Sequence, residues 1–240
     1  MSVVVPAFNE ESRINRLIET VRSYFDSTRL SWELVIVDDG SDDGTATMVE
    51  RASLADSRVR LIRLGHRGKG AAVRRGLMEA RGACRFMADA DLAVSIDHLP
   101  RFLEPIQAGA ADVVISSREA AGSERRGESW RRHALGRAFN AAVQALAVPG
   151  IKDTQCGFKM LTAAAAEAIM PHLIFDGFAF DVEMLFLARR AGFRIREVGV
   201  ICEYGPGTRV TAGQGITAFV NILGIRWNAF RGRYAAVSAR

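Results

Sequence analysis

Two acids one residue apart, Asp89 and Asp91, close the apolar run "CRFMADADLAV" at 84–94. Carboxylates so near one another raise each other's cost of ionisation, so the pair calls for a positive partner. On an extended segment residues two apart face the same side, which presents both carboxylates to one point. Hard oxygen donors suit Mg²⁺ or Mn²⁺, and a site with few protein ligands leaves positions for phosphate oxygens. The competing reading is two solvated acids at the start of the next helix.

Three further polar groups follow apolar runs. Asn9–Glu11 come after "SVVVPAF", and Asp38 and Asp39 come directly after "LVIV". There an acid can hold a ribose hydroxyl or a base edge, or only shape a turn. The stretch "GHRGKGAAVRRG" sets Arg67 and Lys69 in a flexible glycine-rich turn at an expected helix N-terminus, which favours a diphosphate. It is not a P-loop, because Gly70 stands where the hydroxyl residue belongs, and no GxGxxG follows the first strand.

Downstream, Arg118, Arg125, Arg126, Arg131, Arg132 and Arg137 face three glutamates within 118–137. They read as a solvated basic face or as a site for a phosphate-bearing acceptor. Without interleaved aromatic residues, no nucleic-acid partner is expected. An acceptor hydroxyl would need a carboxylate to take its proton. Asp153 in "GIKDTQCGFKML" is the favoured candidate, with Asp181 and Glu183 in "FAFDVEML" as the others. Their simpler roles are stabilising a turn and complementing a helix dipole.

Elements that would position these residues follow from periodicity. "SVVV", "ELVIV", "VRLIRL", "CRFMAD" and "DVVISS" read as short buried strands. Between them run helices, the first covering "PAFNEESRINRLIETVRSYF" with Ile14, Leu17, Ile18, Val21 and Phe25 on one face and Asn9 as its cap. Asp43 is a candidate cap for the second helix. Strands alternating with amphipathic helices predict an α/β fold, a mostly parallel sheet with helices on both faces and its ligands beyond the carboxyl ends of the strands. After residue 116 come a helix carrying Leu135, Phe139, Val143 and Leu146, an alanine-rich helix, a helix through "FDVEML", a strand in "RIREVGVICEY" and a glycine-rich loop. The tail "GITAFVNILGIRWNAFRGRY" spaces Ile216, Phe219, Val220, Leu223, Trp227 and Phe230 helically beside arginines. That pattern fits a bilayer interface or packing on the protein's own body.

Composition bounds the class. The chain has 240 residues, 49% hydrophobic and 25% charged, with a formal net charge of +5. This is the balance of a globular enzyme with a sizeable core, and its surplus of arginine suits phosphates. Cys84, Cys156 and Cys202 form no CxxC pair, so zinc and disulfide frameworks are unsupported and a reducing, cytoplasmic setting is expected. No secretory signal and no confident membrane span are visible.

The ordered segments "VVVPAFNEE", "VIVDDGSDDGT", "RGKGAAVRRG", "MADADLA", "SSR", "GIKDTQCGFKML" and "FAFDVEML" resemble family-2 glycosyltransferases of GT-A, Rossmann-like fold. They are most similar to the dolichyl- and polyprenyl-phosphate hexosyltransferase branch, in particular the dolichyl-phosphate β-glucosyltransferases. The resemblance implies a catalytic domain over 1–204, with a nucleotide-sugar half at 1–115 and an acceptor half at 116–204, followed by a loop and amphipathic helix at 205–240. It implies a nucleoside-diphosphate hexose donor held by Pro6, Phe8, Glu11, Asp38, Asp39, Lys69 and Asp89. Mg²⁺ or Mn²⁺ would sit at Asp89 and Asp91, and the acceptor phosphate at Arg118 with Arg131 or Arg132. Inverting transfer, of glucose from UDP-glucose to a polyprenyl phosphate at the cytosolic membrane face, is the expected activity. A soluble hydroxyl acceptor and a catalytically silent nucleotide-sugar-binding module are the alternatives. His66 stands where these relatives often carry asparagine, and the hydrophobic anchor helices of many relatives are not seen.

Overall fold

The computed structural model describes residues 1–127, 130–203 and 212–237, and it leaves the side chains at 130–135, 138, 212–216, 218 and 219 outside that description. Strand β1 (Ser2–Ala7) is buried on both sides, as an apolar run bounded by polar residues requires. It pairs in parallel with β2 (Glu33–Asp38) on one side and with β4 (Cys84–Met87) on the other. Strand β3 (Val59–Arg63) extends the sheet beyond β2. The far side holds β5 (Val113–Ser117), β7 (Lys159–Thr162) and β8 (Ile195–Gly199), in the order β3-β2-β1-β4-β7-β5-β8. Strand β7 runs antiparallel to both neighbours, and the other pairings are parallel. The strand order therefore reverses between β1 and β4, and the crevice at such a switch point is where open α/β sheets bind ligands.

Side chains alternate across this sheet. Val3, Val5, Leu34, Ile36 and Phe86 enter one core with helices α1 (Glu11–Asp26), α2 (Thr45–Ala55) and α4 (Leu99–Gln107). Val4, Val35, Val37 and Met87 enter the other with α3 (Lys69–Glu79), α6 (Ala163–Ile169) and α7 (Phe180–Arg190). Helices α5 (Trp130–Leu146) and α8 (Ala212–Phe230) lie outside this second layer and contribute Val143, Ile222 and Ile225 to its core. A separate ribbon pairs β6 (Glu124–Arg126) with β9 (Ile201–Glu203).

The first helix differs from the sequence expectation at its start. Pro6 and Ala7 belong to β1, where Pro6 stands opposite Val37, and the helix begins only at Glu11. Asn9 is not its cap. It lies in the left-handed region at φ 54°, and its Oδ1 accepts from the Asp42 amide instead. The expected buried face of Ile14, Leu17, Ile18, Val21 and Phe25 is the observed one. Asp43 is not the cap of α2 either: Gly44 holds that position without a side-chain cap bond, and Asp43 sits one residue earlier, its Oδ1 accepting from the Thr45 amide at 3.0 Å.

The chain's last described turn is fastened from below by α7. The buried Tyr234 hydroxyl donates to Glu183 Oε1 at 2.5 Å, and burial pushes the phenol well above its ordinary range. Tyr234→Phe removes that donor without changing shape, and a hydrogen bond to a charged acceptor is worth about 1.5–3 kcal/mol. Urea unfolding should show a loss of that order. A change below about 0.5 kcal/mol, the range of ordinary surface substitutions, would mean the contact fastens nothing.

Candidate active site

The crevice is built from loops at the carboxyl ends of β1, β2 and β4. Asp39 follows β2 and is almost wholly buried, with its amide donating to Ala7 O at 2.8 Å. Its carboxylate accepts from the Arg67 amide at 2.9 Å and the Gly68 amide at 2.8 Å, so it shapes the turn that leads into α3. His66 Nδ1 lies 3.0 Å from the same carboxylate, and its ring stacks on Phe8 with centroids 4.3 Å apart. Histidine thus forms an aromatic shelf over the end of β1. Asp38 accepts from the Ser41 amide through Oδ2, while its buried Oδ1 has no hydrogen-bond partner among the described residues. Glu11 ties the neighbouring loop down by accepting from the Gly44 amide at 3.1 Å.

The glycine-rich turn is not the free cationic loop that its composition implies. Arg67 Nη2 is held by Asp176 Oδ2 at 2.7 Å, and the Asp176 carbonyl accepts from the Gly70 amide at 2.7 Å. Gly68 has φ +119°, and a Cβ there would come within 2.7 Å of the Asp176 carbonyl oxygen. Only glycine fits that close approach. The start of α3 is therefore clamped to the loop before α7, leaving Lys69 as the group it aims into the crevice.

Lys69 Nζ sits 2.5 Å from Asp89 Oδ1. Burial would lower the lysine, but Asp89, Asp181 and Asp91 together outweigh it and raise its affinity for the proton. Burial likewise pushes Asp89 up, and the charges of Lys69, Lys159 and Arg118 overcome it, so the carboxyl is held low. Asp89 lies directly on Gly157, where a Cβ would overlap its Oδ2. Its Oδ1 is buried yet accepts no aligned hydrogen bond among the described residues. Asp91 is exposed and accepts from the Ala93 amide at 3.1 Å.

The geometric reason for pairing the two acids changes here. Beyond Met87 the chain leaves the strand and makes a turn in which the Leu92 amide donates to Asp89 O at 3.1 Å. Asp91 therefore follows Asp89 around a turn and not along a strand. Among the described residues no three His, Cys, Asp or Glu side chains gather as a complete cation cage. A buried Asp89 oxygen without an aligned hydrogen bond, with the exposed Asp91 carboxylate two residues on, is the hard-oxygen donor set that Mg²⁺ or Mn²⁺ take, since these ions keep waters and accept phosphate oxygens as further ligands.

Behind this pair lies a second one. Lys159 on β7 is fully buried, with Nζ 2.5 Å from Asp181 Oδ1 and 2.6 Å from Cys156 O. Burial raises the Asp181 carboxyl despite the opposing pull of Lys159 and Lys69. Glu183, two residues further along α7, points elsewhere. Its oxygens accept from the Ile174 and Phe175 amides at 3.0 Å and from Tyr234, which makes it a knot between α7 and its surroundings. A carboxylate so occupied has no oxygen to spare for a substrate proton.

Across the crevice, Arg118 follows β5 and grips Asp153 through Nε at 2.6 Å and Nη2 at 2.9 Å. Asp153 is fully buried, and although burial pushes it up, the Arg118 guanidinium holds it below the usual carboxylate range. That is a poor proton acceptor and a good orienting group for an arginine. In the basic stretch, Arg125 and Arg137 both reach Glu119, and Arg126 reaches Glu124 and Glu203. The side chains of Arg131 and Arg132 lie outside the described residues, as does the loop at 204–211. Sequence reasoning passed over Lys159 and Asp176. The first is a lone cation in the apolar run "CGFKML", and the second is the acid of "FDGF".

The strand order and the loops at its switch point define the GT-A class of α/β fold. A Mycobacterium tuberculosis glucosyl-3-phosphoglycerate synthase, solved with Mn²⁺, UDP and glucosyl-3-phosphoglycerate, superposes with a TM-score of 0.64 at 20% identity. The match covers 95% of this chain and 78% of that one. The chain belongs to glycosyl transferase family 2, whose family model matches residues 2–170. It is 37% identical over 213 residues to a dolichyl-phosphate beta-glucosyltransferase of Dictyostelium discoideum, covering 83% of this chain and 65% of that protein. The Homo sapiens dolichyl-phosphate beta-glucosyltransferase is 35% identical over 214 residues, with 83% and 66% covered. The chain thus spans a little under two thirds of the length of these relatives.

Proposed function

We propose that the chain transfers a hexose, glucose from UDP-glucose, to a polyprenyl or dolichyl phosphate with inversion at the anomeric carbon, next to a membrane. The observation that carries this reading is the arrangement of charge around the switch point. Lys69 and Asp89 stand on one wall, and an arginine oriented by a buried acid stands on the other. The names of the relatives support glucose and a dolichyl phosphate, and the UDP and Mn²⁺ bound by the fold neighbour support the donor and the cation. Residues 1–115 form the donor half and 116–204 the acceptor half of one sheet, with 205–240 appended.

In this mechanism Asp38, Asp39, Glu11 and the Phe8–His66 shelf, at the end of the strand carrying Pro6, receive the nucleoside. Lys69 faces the diphosphate and lowers the charge that develops on the leaving group. A divalent cation at Asp89 and Asp91, when bound, adds Lewis-acid stabilisation of that same charge. Arg118, held by Asp153, turns its guanidinium to the acceptor phosphate. The arginines at 131 and 132 are proposed to assist it. A phosphate monoester has a second pKa near 6, so its oxygen is already a nucleophile at neutral pH and no buried base is required. This agrees with the full occupation of Asp153 and Glu183 by other partners.

Incubating the protein with radiolabelled nucleotide sugars, polyprenyl phosphate and Mn²⁺ or Mg²⁺ tests the reading. Lipid-linked hexose from UDP-glucose is expected. Transfer only to a soluble hydroxyl acceptor, or donor binding with neither transfer nor hydrolysis, would overturn it. Arg118→Lys keeps the charge but loses the bidentate fork, worth about 1.5–3 kcal/mol. Its kcat/KM for the acceptor should fall about 10- to 100-fold. Calorimetric UDP affinity should stay unchanged, and a parallel fall in it would place Arg118 on the donor instead.

A further inference from the structure

Helix α8 carries a continuous apolar stripe that the fold leaves open. Val220, Leu223, Trp227 and Phe230 are 58%, 49%, 59% and 84% exposed. Their steps of three, four and three residues place them on one helical face. The opposite face is spent on the core, with Ile222 and Ile225 wholly buried and Asn228 nearly so. The stripe is thus not a poorly packed inner surface. Trp227 and Phe230 stack with centroids 6.0 Å apart, and the Arg231 guanidinium lies 5.7 Å from the Trp227 ring. Large aromatic and apolar side chains gathered in this way are costly to leave in water.

We propose that this face is a docking surface for a lipid bilayer with anionic headgroups. The charge around the stripe selects that occupant. Beyond Glu203 the sequence holds five arginines and no Asp or Glu. Exposed Arg226, Arg231 and Arg233 border the apolar face, so the helix offers a positive rim to phosphate headgroups. A second copy meeting this face across a two-fold axis would set arginine against arginine with no acid from the segment beyond Glu203 to relieve them. No helix among the described residues is long and apolar enough to cross a membrane, so α8 lies along a surface rather than through it.

The inference deepens the proposed function by naming the surface from which a lipid-borne acceptor would arrive, but it stands on α8 alone. Docking also has a firm base. Tyr234, a turn beyond α8, is bonded to Glu183, and Glu183 holds the Ile174 and Phe175 amides beside the Asp176 clamp on α3. A face fixed in this way holds the crevice at a set height above the bilayer.

The test uses the whole chain and vesicles without nucleotide sugar or polyprenyl phosphate. Co-sedimentation is expected with vesicles of phosphatidylcholine and phosphatidylglycerol. It should weaken steeply in high salt and with phosphatidylcholine alone. A Trp227→Ala, Phe230→Ala double variant should partition about tenfold or more weakly, because apolar area drives insertion. Both side chains are exposed, so its thermal midpoint and UDP affinity should match the parent chain. Absence of sedimentation, an unchanged double variant, or a stable dimer in ultracentrifugation that the double variant dissolves would each overturn the proposal. If vesicle binding fails while hexose transfer in detergent persists, the docking surface falls and the transferase reading stands. The reverse pattern would sink the transferase and spare the surface.

Discussion

Asp181→Asn is expected to destabilise the protein by about 3–5 kcal/mol, the cost of stranding a buried charge. Lys159 has no exposed surface, and its ammonium is 2.5 Å from the Asp181 carboxylate. Apart from Asp181 it donates to Cys156 O, which supplies a dipole but no counter-charge. Asparagine keeps the shape of the acid and removes only its charge. The loss should therefore appear in the midpoint of urea unfolding with an unchanged slope. A second variant separates charge from packing. Adding Lys159→Met fills the same space with an unbranched apolar chain, and replacing a buried pair outright is often neutral. The double variant should recover most of the lost stability. A single variant within about 1 kcal/mol of the parent would show that the pair is not stranded by the change. That result would place water or another acid at Lys159.

The restored double variant then speaks to chemistry. Asp181 is one of the acids that raise Lys69, so its removal weakens the field holding that lysine charged in the crevice. Folded protein with depressed transfer is the expected result. Full transfer would leave Asp181 with a structural part alone.

The parts of this molecule legible in its sequence are those where one physical signal acts alone. Runs such as "SVVV" and "LVIV" read as buried strands and are so in the fold, and the buried face of α1 follows from helical period. The polar clusters after β1, β2, β3 and β4 meet because parallel strands bring their carboxyl ends to one edge. Legibility stops where two signals compete. Pro6 reads as the first residue of a helix, yet the ladder to β2 claims it for β1. Lys159 looks like a surface residue in "CGFKML", and only the late insertion of β7 between β4 and β5 buries it. Asp153 and Glu183 have the residue type of a general base. Their burial and their most distant donors, Arg118 and Tyr234, which lie 35 and 51 residues away, are tertiary facts with no local trace.

The same contrast governs the Asp89 and Asp91 pair. Spacing alone puts them on a strand, whereas the chain there makes a turn closed by the Leu92 amide. Residue types were informative because oxygen chemistry is set by the side chain, and geometry was not because a turn and a strand share the same sequence spacing. His66 shows the converse. In sequence it is a departure from an asparagine pattern, and in the fold it supplies a ring for Phe8 and a nitrogen for Asp39.

Asp89→Asn is expected to lower hexose transfer by about 10²–10³-fold or more, the scale of losing a preorganised electrostatic contact at a developing charge. The carboxylate rests on Gly157 with no room for a larger group, and asparagine occupies the same volume, so the fold should survive. What disappears is the negative charge on a buried oxygen that has Lys69 beside it and no aligned hydrogen bond. Calorimetry should find Mn²⁺ binding lost while UDP alone still binds at the Asp39 side. Lys69→Met supplies the opposing control. It removes the cation that sits where a metal would be attracted, so Mn²⁺ should bind more tightly without nucleotide even as transfer falls. Two variants that both lose transfer but move metal affinity in opposite directions cannot be explained by general damage to the crevice. Mn²⁺ affinity unchanged in both would remove the cation from Asp89.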